Sequence, residues 1–139
     1  MELVAYQESD LTSIASEVVK QLGGRKIIAL KGQMGAGKTT FIRYLAKEIG
    51  IQDEVSSPTF GYVNEYVCAL FDSVYHFDLY RLETLEDAYN IGIEEYLYND
   101  NICIIEWPEV IQELLGDDTF WIEFELAQNA KRIIRINGL

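Results

Sequence analysis

The chain holds only two cysteines, one histidine and eleven lysines and arginines among its 139 residues. Each shortage removes a class of function. Cys68 and Cys103 stand far apart and fit neither a metal-ligand nor a redox spacing, so they read as reduced core thiols of a cytosolic protein. Adding His76 still gives too few ligands for a metal–thiolate site. Against 23 Asp and Glu, the eleven basic residues leave a formal net charge of −12. Gripping DNA or RNA requires clustered Lys and Arg on phosphates, so a role near nucleic acid would run through a partner. The acidic surface could dock a basic partner or simply stay solvated. No apolar run is long enough to cross a membrane, and Met1-Glu2-Leu3-Val4 does not read as a signal peptide. The expected location is therefore the cytoplasm. Repeats, low-complexity tracts and long linkers are also missing, and 139 residues at 49% hydrophobic content suit one domain, 1–139, around one core.

What the chain does have is a complete phosphate-binding pattern, Gly32-Gln33-Met34-Gly35-Ala36-Gly37-Lys38-Thr39, followed by Thr40. Glycines let backbone N–H groups turn inward around a phosphate. The lysine can reach the terminal phosphates, and the threonine hydroxyl can ligate Mg²⁺. The pattern carries weight only between a strand and a helix, and the flanks supply both. Lys26 to Leu30 is a short apolar run after Gly23-Gly24. Phe41, Ile42, Leu45, Ala46 and Ile49 recur at helical spacing up to Gly50. A bound phosphate would sit on the N-terminus of that helix, where free N–H groups and the helix dipole favour anions. The implied ligands are a nucleoside triphosphate, ATP, and Mg²⁺.

The rest of the chain predicts alternating elements. Residues 2 to 6 form a first strand, and Asp10 caps a helix whose apolar face is Leu11, Ile14, Ala15, Val18, Val19 and Leu22. Residues 56 to 59 form a loop. Tyr62 to Cys68 and Ser73 to Leu79 form a hairpin with its tip around Leu70 to Asp72. Thr84 and Asp87 make a capping box for an acidic helix that runs to about Tyr98 and breaks at Gly92. Ile102 to Ile105 is a buried strand, and Pro108 opens a short helix. Phe120 to Leu126 and Arg132 to Ile136 alternate as a final antiparallel pair. The expected fold class is α/β, a P-loop NTPase-like three-layer sandwich with a mixed central sheet.

A phosphate-binding loop works with acidic groups that serve Mg²⁺ from the ends of buried strands. Asp78 closes Val74-Tyr75-His76-Phe77-Asp78, and Glu106 closes Ile102-Cys103-Ile104-Ile105-Glu106. Such positions face the crevice where open α/β sheets bind ligands. Asp78 is expected to ligate Mg²⁺, the alternatives being a cap or a pair with Arg81. Glu106 is expected to orient the attacking water or to complete the groups around the ion. Thr59 lies where nucleotide hydrolases place switch loops, stiffened by Pro58, and its hydroxyl could sense a γ-phosphate. His76 reads as a satisfied core histidine, Trp107 as packing at the core or the site edge, and Arg81 as a phosphate contact or an ion-pair partner. No arginine stands out as a finger. Thr12, Lys131 and Arg132 are the available guesses for the adenine.

Missing motifs narrow the class. There is no Asn-Lys-x-Asp guanine reader, no Asp-x-x-Gly switch, no Leu-Ser-Gly-Gly signature and no Arg-rich lid. What remains is a minimal ATPase; a small-molecule kinase and a non-hydrolysing ATP-binding switch are the alternatives. Four segments together make the pattern specific: the loop Gly32 to Thr40, Ser57-Pro58-Thr59-Phe60, His76-Phe77-Asp78-Leu79-Tyr80-Arg81-Leu82, and Glu106-Trp107-Pro108-Glu109. Over nearly its whole length the chain resembles the TsaE (YjeE) family, the ATPases of bacterial tRNA threonylcarbamoyladenosine synthesis. The resemblance implies Mg²⁺-dependent ATP hydrolysis in the cytoplasm, in concert with two partners, TsaB and TsaD. TsaD would transfer the threonylcarbamoyl group, and tRNA would be met only through the partners. By position, Lys38 and Thr39 would hold phosphate and Mg²⁺, Asp78 would serve the metal, Glu106 would assist hydrolysis, and Thr59 would lie in the switch loop.

Overall fold

The computed structural model describes residues 1–58, 61–69 and 73–137. The described residues contain seven strands: β1 (Glu2–Ala5), β2 (Ile27–Gly32), β3 (Val63–Tyr66), β4 (Val74–Asp78), β5 (Ile102–Glu106), β6 (Thr119–Leu126) and β7 (Arg132–Asn137). They form one sheet in the order β1-β7-β6-β2-β5-β4-β3, so β2 lies at its centre. β2 runs parallel to both β5 and β6, and β4 parallel to β5, while β3, β7 and β1 add antiparallel pairs at the flanks. The sequence carries this division. β5 and Ile27–Leu30 are buried throughout, as strands covered on both faces must be, whereas β6 alternates.

Helices cover both faces, as the three-layer α/β expectation requires. On one face lie α1 (Leu11–Leu22) and α2 (Lys38–Ile49), packed on Ile28, Leu30, Ile102 and Ile104. On the other lie α3 (Leu85–Asn90), α4 (Ile93–Leu97) and the 3-10 segment Pro108–Leu114, packed on Phe77, Cys103 and Ile105. Phe41 of α2 is fully buried, with its ring 5.4 Å from that of Phe124. Burying a side chain of this kind contributes about 1.5–3 kcal/mol, and here it fixes the first turn of α2 against the sheet.

Local sequence rules explain most boundaries. Thr84 and Asp87 exchange the reciprocal bonds of a capping box, Asp87 N–H donating to Thr84 Oγ1 at 3.1 Å and Thr84 N–H to Asp87 Oδ2 at 3.2 Å. The acidic helix does break at Gly92, giving α3 and α4. Three details differ from expectation. The Asp10 carboxylate makes no bond to α1; it accepts the N–H groups of Tyr6 and Gln7 and so caps the turn before the helix. Val19 is half-buried rather than core. The segment after Pro108 is 3-10 rather than α, because Trp107 enters it from a left-handed conformation and Ile111 departs from helical angles. The expected hairpin tip at Leu70 to Asp72, and Thr59, lie outside the described residues.

Candidate functional site

The C-terminal ends of β2, β4 and β5 lie side by side. Glu106 pairs in register with Leu30 on one side and Asp78 on the other. Immediately beyond β2, Gln33, Met34 and Gly35 form the exposed crest of the loop, with Ala36 buried beneath it. Gly37 has φ +98°, a conformation that strains other residues, and turns the chain into α2. At the other end of the loop, a Cβ on Gly32 would meet the Phe124 carbonyl oxygen at 2.9 Å. The first bond of α2 runs from Phe41 N–H to the Gly37 carbonyl at 2.9 Å. The N–H groups of Lys38, Thr39 and Thr40 therefore precede the helical ladder and have no carbonyl within it, which suits them to an anion.

Lys38 is 5% exposed and turned inward. Its Nζ donates to the Gly32 carbonyl at 2.6 Å and lies 3.5 Å from the centre of the Trp107 ring. Burial pushes the Lys38 ammonium below its usual range, and the Glu106, Glu109 and Asp78 carboxylates oppose that shift. The ammonium is thus held by one carbonyl and one aromatic face, contacts that a phosphate oxygen can replace with a charge-assisted bond.

Thr39 Oγ1 donates to Glu106 Oε1 at 2.9 Å and lies 3.3 Å from Ser57 Oγ. The second oxygen of Glu106 takes a bond at 2.8 Å from His76 Nε2. Glu106 and His76 are both buried, on the face of the sheet that carries α2. Asp78 is half-buried; burial raises its carboxyl above the usual range, and its Oδ1 accepts Tyr80 N–H at 3.1 Å. Lys38, Thr39, Asp78, Glu106 and Trp107 line one cavity of about 310 Å³, together with Arg132 from the start of β7.

A family model described as threonylcarbamoyl adenosine biosynthesis protein TsaE matches residues 5–134. The chain belongs to the TsaE family. It is 35% identical over 136 residues to the tRNA threonylcarbamoyladenosine biosynthesis protein TsaE of Treponema pallidum, covering 98% of this chain and 99% of that one. The TsaE of Haemophilus influenzae is 39% identical over 120 residues (85% and 75% of the two chains), and that of Bacillus subtilis 35% over 113 (81% and 70%). The crystal structure of Bacillus subtilis YdiB superposes with a TM-score of 0.72 at 25% identity, over 98% of this chain and 83% of that one. The family's role is in tRNA threonylcarbamoyladenosine biosynthesis. Among the described residues, no helix is long and apolar enough to cross a membrane.

Within this TsaE-family frame, the structure brings Lys38, Thr39, Asp78 and Glu106 together, as the sequence pattern requires. Trp107 sits at the site edge, against Lys38 and 5.0 Å from the Tyr80 ring. Arg81 is exposed. His76 is buried as expected, but it also reaches the site: Nε2 bonds Glu106, while Nδ1 is buried with no hydrogen-bond partner among the described residues. Two residues escaped the sequence reading. Ser57 reaches Thr39 from the segment that carries Thr59, and the Ser-Pro-Thr run was the signal for it. Arg132 stood only as a guess for the adenine, yet it lies across the loop. A Cβ on Gly37 would come within 2.8 Å of Arg132 Nε, which is buried and without a hydrogen-bond partner among the described residues. Among the described residues, no three His, Cys, Asp or Glu cluster as a metal cage. The oxygen donors that do line the cavity, the Thr39 hydroxyl and the Asp78 and Glu106 carboxylates, are of the hard type that Mg²⁺ takes.

Proposed function

We propose that this chain is a Mg²⁺-dependent ATPase that supports threonylcarbamoyladenosine synthesis on tRNA by acting on a TsaB–TsaD pair. The observation that carries the reading is the shared cavity: Lys38 and Thr39 open α2 beside Asp78 and Glu106 at the ends of β4 and β5. The phosphates of ATP would lie on the amides from Gly35 to Thr40, with Lys38 exchanging the Gly32 carbonyl and the Trp107 ring for phosphate oxygens. Thr39 would hold Mg²⁺, with Asp78 and Glu106 binding its water ligands. Bound there, the ion would neutralise charge developing on the transferred phosphoryl group. Thr59 would complete the site from the segment in which Ser57 touches Thr39. The net charge of −12 favours contact with tRNA through the partners.

Arg132 extends the reading. It lines the phosphate cavity and also a second one of about 220 Å³ bordered by Tyr6, Gln7, Glu8 and Ala130. That position suits a guanidinium bound to the phosphate–ribose junction, with the nucleoside in the second cavity. A hydrogen bond to a charged group is worth about 1.5–3 kcal/mol, so Arg132→Ala should weaken ATP binding roughly tenfold or more. Equilibrium titration with ATP checks this; unchanged affinity removes Arg132 from the site.

The test of the function compares ATP turnover by the chain alone with turnover in the presence of TsaB and TsaD. Slow basal hydrolysis, raised by the partners and lost in Asp78→Ala, is the expected result. The reading fails if the complete set turns over no ATP while Lys38→Ala leaves tRNA modification intact.

A further inference from the structure

The chain's one histidine sits behind the reacting groups rather than among them. His76 is 1% exposed, on the same face of β4 as Asp78, and Asp78 is the register partner of Glu106 on β5. Its Nε2 lies 2.8 Å from Glu106 Oε2, while Glu106 Oε1 accepts the Thr39 hydroxyl at 2.9 Å. The order is therefore imidazole, carboxylate, hydroxyl, cavity.

We infer that His76 is a positioning residue. It fixes Glu106 in the rotamer that takes the Thr39 proton, which leaves the lone pairs of Thr39 Oγ1 free for a metal ion. Two observations separate this from simple core packing. The first is the ring's second nitrogen. A histidine kept for structure would be expected to satisfy both ring nitrogens in the interior, because an unpaired buried polar atom is costly. Among the described residues Nδ1 is buried without a partner, and Glu106 is the ring's polar contact. The second is direction. A carboxylate only accepts, so the ring donates through Nε2–H, and the orphan is the Nδ1 lone pair. The ring thus presents a single donor aimed at a single acceptor, as in sites where an outer hydrogen bond orients an inner ligand.

The inference rests on the Mg²⁺-ATPase reading, and its test separates the two. Three forms are compared with TsaB and TsaD present: wild type, His76→Leu, which keeps volume without the donor, and His76→Gln, whose amide can place a donor near the Nε2 position. Removing an outer partner of this kind typically costs about 10–100-fold in activity or metal affinity. His76→Leu should lose kcat in that range and need several-fold more Mg²⁺ for half-saturation, on the order of the same effect. Its Mg²⁺-free affinity for ADP should hold within about twofold, since the loop amides remain in place. His76→Gln should recover most of the loss.

A readout independent of activity comes from the nucleotide-free protein. With one histidine in the chain, long-range ¹H–¹⁵N spectra report its tautomer without ambiguity. The Nε2–H form is expected, perturbed by Glu106→Gln. The inference is overturned by the Nδ1–H tautomer, by His76→Leu retaining both kcat and Mg²⁺ dependence, by Gln failing to rescue, or by Mg²⁺-free ADP binding falling in step with kcat. Wild type that hydrolyses no ATP overturns the functional reading itself; active wild type beside an unaffected His76→Leu overturns only the role of His76.

Discussion

Lys38→Ala should lower partner-stimulated ATP hydrolysis by at least about 10²–10³-fold, the loss seen when one aimed electrostatic donor is removed from a transition state. The geometry explains why the loss would be large and confined to function. Lys38 carries its charge into a cavity it shares with Asp78 and Glu106, at the start of α2. Without nucleotide that charge rests on the Gly32 carbonyl and the Trp107 ring, and burial disfavours it. Removing a desolvated cation need not destabilise the fold, so the melting temperature should stay the same or rise slightly. Lys38→Arg should not rescue turnover, because a planar guanidinium cannot replace a point charge between a carbonyl and a ring face without moving both. Steady-state turnover beside thermal melts decides the matter. A Lys38→Ala chain that stays folded and retains turnover within tenfold would exclude the lysine from the chemistry.

The legible parts of this molecule were the local ones. The spacing from Gly32 to Thr39 names a loop because every position serves one backbone turn. The runs ending in Asp78 and Glu106 announce their carboxylates because a continuous apolar strand has to end at the sheet's edge. The Thr84–Asp87 box and the break at Gly92 are equally short-range. What escaped depends on strand order. Arg132 reaches Gly37 because β7 lies beside β6 and β6 beside β2, and hydrophobic periodicity pairs β6 with β7 without saying which strand lies next. His76 was legible only in part, for a related reason. Its apolar neighbours along β4 predict burial, but its partner is thirty residues away on β5. Asp10 shows the limit even at short range, since a residue at a helix boundary can cap the turn before it or the helix after it.

Glu106→Ala should bring the second large loss, about 10²-fold or more in kcat, with nucleotide still bound. Unlike Lys38, Glu106 serves the fold as well as the site. It is 3% exposed and accepts from two donors, Thr39 Oγ1 and His76 Nε2. Alanine leaves both donors without their acceptor, at about 1–3 kcal/mol for each group that water cannot reach, so a lower melting temperature should accompany the lost turnover. Glutamine keeps the volume, but its single carbonyl can accept from only one donor while its amide N–H groups face the other. Glu106→Gln should therefore melt closer to wild type than Glu106→Ala yet hydrolyse no faster. Full turnover in either variant would remove Glu106 from the chemistry. The pair also makes a cycle. If His76 acts only through Glu106, then His76→Leu costs activity in the wild-type background and almost nothing once Glu106 is alanine. Additive losses would mean that the imidazole reaches the reaction by another route.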